Sequence, residues 1–134
     1  MPRGGAPTRS SSKNSNQYSA LDTNVRSYSD EARNPYYLSN SDHPGLSLVP
    51  KILTSCEIYS LWRRAMIVAL VARNKLKFVN GKLSFDEDFE LWNCCNSTVI
   101  SWILHAISNE IVESVMYMYD ATQILLNLEE RFNQ

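Results

Sequence analysis

The sequence predicts an all-α fold: a small helical domain of about four helices behind an extended entry segment and a disordered N-terminal arm. Three observations carry this reading. Motifs of the capping-box type recur as Thr54-x-x-Glu57, Ser84-x-x-Glu87 and Asp120-x-x-Gln123, each pairing a cap side chain with an acid or amide three residues on. Apolar residues behind each box recur at three- and four-residue spacing. Composition also changes near residue 34, so the 134-residue chain divides into an arm over 1–33 and one helical domain over 34–134, a domain that reads as incomplete at its C-terminus.

The arm is rich in Ser, Asn, Gly and Arg and poor in large apolar residues. It cannot bury enough surface to offset its chain entropy. It lacks the apolar run of a secretory signal. It has no acid before Asp22, a transit-peptide trait, but no amphipathic period. The entry segment NPYYLSNSDHPGLSLVP, residues 34–50, carries Tyr36, Tyr37 and Leu38 before a turn marked by Ser41, Asp42, Pro44 and Gly45. The aromatic pair and Leu38 are expected to pack on the helices as a fixed arm. LSLVPKIL then reads as extended, with Pro50 keeping it out of a central strand.

A first helix is expected over 54–75, its spine Ile58, Trp62, Ala65, Ala69 and Ala72 at 4-3-4-3 spacing. Arg73, Lys75 and Lys77 crowd its end, where the helix dipole favours cations. Asn80-Gly81 marks a turn. The second box opens a long helix, with Asp86, Glu87 and Asp88 in its first turn. Ser108 is expected to end it and to cap a short helix over 109–118. The last helix carries the stripe Ala121, Ile124, Leu125, Leu128 and Phe132.

The stretch WNCCNSTVISWILHAIS, residues 92–108, raises the question of chemistry. On a helix, Leu91, Cys95, Val99, Trp102 and Ala106 share one face, flanked by Trp92 and Ile103, so Cys95 is a small apolar core residue. Cys94 and His105 are about 16 Å apart along the axis, and zinc needs ligands within about 2.3 Å. Adjacent Cys94 and Cys95 point about 100° apart on a helix. Cys56 lies outside this helix. Neither a metal site nor a redox pair is indicated, and three cysteines without a signal peptide read as reduced intracellular thiols. No Gly-rich phosphate loop, G-x-S-x-G or H-E-x-x-H occurs. The acids of FDEDFE, residues 85–90, serve a helix start. No enzyme activity, cofactor or small-molecule substrate is expected.

A net charge of -1 gives no overall drive toward nucleic acid or membrane. The longest apolar run, AMIVALVA, has eight residues, against roughly twenty for a membrane span. A soluble protein is expected, in the cytoplasm or alternatively the nucleus. Arg63, Arg64, Arg73, Lys75 and Lys77 form a local basic excess and are the candidates for weak RNA contact. The first helix is nearly all apolar, which makes Ile67, Leu70 and Val71 candidates for self-association. The competing reading has other helices or the entry segment covering them.

The order of landmarks resembles the N-terminal Gag-like region of plant copia-type LTR retrotransposons. It runs from NPYYLSNSDHPGLSLV through LTSCEIYSLWRRAM, ARNKLKFVNG and W…CNSTVISWILHAISNEI to VMYMYDATQILLNLEERF. Leu53, Thr54, Glu57, Tyr59, Trp62, Arg64 and Met66 match the family's first-helix pattern. Asn74, Lys75, Leu76, Phe78 and Gly81 match its next landmark. Trp92, Asn96, Trp102, Ile103, Ala121, Leu128, Arg131 and Phe132 match later ones. Ser55, Ile58, Lys77, Asn80, Leu125 and Ile67 depart from it, Leu125 standing where the family has Trp. The resemblance implies a capsid-like, non-enzymatic domain that self-associates, alone or within a longer Gag polyprotein, with Tyr59, Trp62, Trp92, Trp102 and Phe132 as structural landmarks. It further implies that strong RNA contact belongs to a zinc knuckle beyond this chain, which reads as an N-terminal fragment or a stand-alone remnant. A domesticated adaptor that binds a host peptide is the other alternative.

Overall fold

A computed structural model describes residues 33–83 and 89–133. Residues 1–32 of the expected arm and the capping box at 84–87 lie outside the described residues. From Pro35 onward these residues form four α-helices and no strand: α1 (Tyr59–Ala72), α2 (Phe89–Leu104), α3 (Asn109–Val115) and α4 (Ala121–Phe132). Short 3-10 turns, Cys56–Ile58 and Leu76–Phe78, flank α1. The fold is therefore all-α, and no helix among the described residues is long and apolar enough to cross a membrane.

Regular helix starts five residues later than the Thr54 box suggests, because the backbone before it is already committed. The Leu53 amide donates to the Ala106 carbonyl at 2.8 Å and the Ser108 amide donates to the Leu53 carbonyl at 2.9 Å, an isolated parallel bridge between Leu53 and Ile107. With Leu53 held extended, Ser55 becomes the cap of the 3-10 turn and no side chain caps it. The same bridge ends α2 at Leu104 instead of Ser108, since the chain turns at His105 and Ala106 so that Ile107 can meet Leu53.

The buried face of α1 is Tyr59, Trp62, Met66 and Leu70, not the alanine spine expected. Turning the helix this way buries a tyrosine, a methionine and a leucine where the other face offers alanines. Each large apolar side chain contributes about 1.5–3 kcal/mol when buried. The helix closes in a Schellman motif. The Asn74 amide donates to the Val71 carbonyl at 3.0 Å and the Lys75 amide donates to the Leu70 carbonyl at 2.8 Å. Asn74 sits at φ 58°, the left-handed position that asparagine tolerates better than other side-chain-bearing residues.

On α2, Trp92, Cys95, Val99, Trp102 and Ile103 face the core with Asn96 and Thr98, while Leu91 is exposed. The Asp120 carboxylate accepts the Thr122 amide at 2.9 Å and starts α4, whose Ala121, Ile124, Leu125 and Leu128 are buried as expected. Phe132 is half-buried and stacks on Tyr59 with centroids 6.3 Å apart. The core sits where α1, α2 and α4 converge, closed by Leu53 and Phe78.

Candidate interaction surface

The entry segment is tied to the helices mainly through its own backbone carbonyls. The Cys95 thiol donates to the Tyr36 carbonyl at 3.2 Å, and the Lys75 ammonium donates to the Tyr37 carbonyl at 2.6 Å. The Trp102 indole donates to the His43 carbonyl at 2.8 Å, and the Ser101 hydroxyl donates to the Pro44 carbonyl at 2.8 Å. Asp42 forms an ion pair with Arg73, whose guanidinium also lies 5.7 Å from the Trp102 ring centre. Tyr36 meets Phe78 edge-on, and Leu38 packs against the core. These contacts make the segment a strap.

The cysteine question resolves toward packing. Cys95 is buried, Cys56 and Cys94 are exposed, and all three are free thiols. Burial pushes the Cys95 thiol up to about 11, an effect the nearby Lys75 charge only partly offsets, so it stays protonated and poorly nucleophilic. The described residues contain no cluster of three His, Cys, Asp or Glu side chains able to hold a metal. His105 is exposed in the turn after α2, its Nδ1 2.8 Å from the Ser101 carbonyl oxygen.

Three of the five basic candidates are engaged within the fold. Lys75 is only 1% exposed, so its placement as an RNA contact is corrected. It turns inward because the Tyr37 and Arg73 carbonyls accept from its ammonium, at 2.6 and 3.2 Å. Burial, partly offset by Cys95, holds its amine below the usual lysine range. Arg73 is spent on Asp42, and Arg63 pairs with Glu129 of α4 at 2.9 Å. Arg64 and Lys77 are exposed.

Leu70 is likewise corrected as a self-association residue. It is fully buried, because it continues the Tyr59–Trp62–Met66 face. Ile67 is half-buried beside Tyr59, Arg63 and Glu129, in a cleft between α1 and α4. Val71 is 56% exposed, and Leu61 and Val68, which the sequence reading passed over, are 76% and 51% exposed. They mark the side of α1 turned away from the core, where Ala72 is also exposed. A helix buried on one side ordinarily carries charged residues on the other. Here the exposed residues are Ser60, Leu61, Arg63, Arg64, Val68, Val71 and Ala72, so the outer side of the last two turns carries no charge. The absence of charge from Ala65 to Ala72 was the available signal. At its N-terminal end the surface opens into a groove of about 370 Å³ whose lining includes Pro50, Lys51, Ile58, Leu61 and Ala65.

The aromatic landmarks are structural staples. The Trp62 indole donates to the Ala106 carbonyl at 2.7 Å, and the Trp92 indole donates to the Leu83 carbonyl at 3.1 Å. Tyr59 stacks on Trp62 as well as Phe132. Asn96 has a role that its sequence context did not show. Its amide nitrogen donates to the Tyr119 carbonyl at 2.6 Å, and its oxygen accepts the Ala121 amide at 3.0 Å. It thereby satisfies one of the orphan donors at the start of α4.

Residues 39–85, which hold most of the strap, α1 and the turn after it, match the family model described as Gag-polypeptide of LTR copia-type. No curated protein and no solved structure matches the chain. Over those residues the chain is similar to the Gag polypeptides of copia-type elements.

Proposed function

We propose that this domain is a non-enzymatic, capsid-like assembly module that self-associates through the outer face of α1, alone or as part of a longer Gag polyprotein. The observation that carries the reading is the exposure of Leu61, Val68 and Val71 on a helix whose opposite face is already in the core. Covering the exposed part of each gains about 1–2 kcal/mol. Six such side chains in a pair of copies gain about 6–12 kcal/mol, against an association cost of about 4–15 kcal/mol. The balance favours weak contacts that act when many copies are brought together.

Light scattering behind size exclusion, run on the 134-residue chain across concentration and at two salt levels, tests this. Growth in mass with concentration that Val68→Glu abolishes, while circular dichroism stays helical, is the expected result. Ile67→Glu acts less, since Ile67 lies off this face. Association unchanged in folded Val68→Glu, or a strict monomer at high concentration, overturns the proposal.

A further inference from the structure

The outer face of α1 also carries information about how two copies would meet. On α1, Leu61, Arg64, Val68 and Val71 follow one another at 3-4-3 spacing, the repeat of a helix-pairing seam, and Glu57 precedes them in the 3-10 turn. All five are exposed. The N-terminal end has the acid Glu57 and, sharing the groove with Leu61, Lys51; Arg64 is the cation near the middle. The C-terminal end is basic: Val71 lines a cleft with Lys77 and Lys82.

Resting on the self-association proposed above, we infer that the occupant of this face is the α1 seam of a second copy, packed antiparallel about a two-fold axis near residue 66. A parallel pair would set Arg64 on Arg64 and Glu57 on Glu57, like charges at both charged positions of the seam. The antiparallel pair sets Leu61 on the partner's Val71 and Arg64 on the partner's Val68. There the aliphatic stem of Arg64 covers the valine while its guanidinium reaches water. The same register brings Glu57 toward the partner's Lys77 and Lys82, an opposite-charge contact made twice by the symmetry. Antiparallel helix dipoles add to it.

The exposed thiol of Cys56, next to Glu57, is a built-in probe of direction. In the antiparallel pair the two Cys56 residues are separated by about twenty residues of helix rise, about 30 Å. A disulfide needs Cα atoms within about 7 Å. In a parallel pair they would sit side by side.

The experiment uses the full 134-residue chain at a concentration where light scattering shows dimers. Cys94→Ser leaves Cys56 as the exposed thiol. A second variant carries Cys56→Ser, Cys94→Ser, Leu61→Cys and Val71→Cys. On mild oxidation, the second variant is expected to give a covalent dimer on a denaturing gel and the first is not. In solution, Glu57→Lys weakens dimerisation about 2- to 5-fold. Adding Lys77→Glu and Lys82→Glu recovers it. A chain whose dimer is lost in Val68→Glu, yet which crosslinks through Cys56, keeps the α1 interface and overturns the antiparallel pairing. A dimer indifferent to Val68→Glu overturns both. So does a monomer, including one in which residues 1–32 cover the face.

Discussion

Asn96→Ala is expected to cost this domain about 2–4 kcal/mol. Asn96 is 1% exposed and joins α2 to the start of α4 through two hydrogen bonds, to the Tyr119 carbonyl at 2.6 Å and from the Ala121 amide at 3.0 Å. Truncation removes both partners at once and leaves a donor and an acceptor without them. Each unsatisfied buried group costs about 1–3 kcal/mol, and the bond to the first amide of α4 acts as a helix cap worth about 1 kcal/mol. The Asp120 cap to Thr122 remains, so α4 survives but its first turn frays. The assay is urea unfolding followed by circular dichroism, with amide exchange at Ala121 as the local readout. A domain of this size should lose about 8–30 °C of melting temperature. A loss below about 0.5 kcal/mol, a value typical of surface substitutions, would refute the reasoning, as would unchanged protection at Ala121.

Lys75→Met keeps the apolar stem but removes the donor shared by the Tyr37 and Arg73 carbonyls. It should cost about 1–2 kcal/mol and raise amide exchange selectively along residues 36–46. Uniform exchange across the domain would mean that Lys75 is not what holds the strap. Burial works against ionisation of Asp42, but the Ser39 amide and the Arg73 guanidinium outweigh it, and its carboxyl lies below the ordinary aspartate value of 3.8. That stability is present above pH 3.8 and is lost as pH falls through the lower folded value. Asp42→Asn should therefore be less stable at neutral pH yet show a flatter acid limb in pH-dependent unfolding; parallel limbs count against the ion pair. Cys95 behaves oppositely: its thiol is raised from 9.0 to about 11. Its contribution is intact below pH 9 and fades as pH rises toward 11, because only the unfolded chain releases the proton in that window. Unfolding midpoints of Cys95→Ala measured from pH 8 to 11 should decline less steeply than those of the natural chain.

The sequence by itself determined what depends on neighbours a few residues apart. The α4 stripe and its Asp120 cap are of this kind, as are the turn at Asn80-Gly81 and the fate of Cys95 as a core residue. In each, the cap bond, the turn angle or the helical face is decided within one or two turns of chain. Only the tertiary structure decided which side of α1 faces inward. Periodicity aligns Ile58, Trp62 and Ala65 as readily as Tyr59, Trp62 and Met66, and the second set wins by the area it buries against distant helices. The ends of α1 and α2 were decided the same way, by a bridge between Leu53 and Ile107. Lys75 makes the point most sharply. Its charge and position predict a solvated helix end, and it is buried because a carbonyl 38 residues earlier in the chain accepts a hydrogen bond from its ammonium, a partner no local pattern can supply.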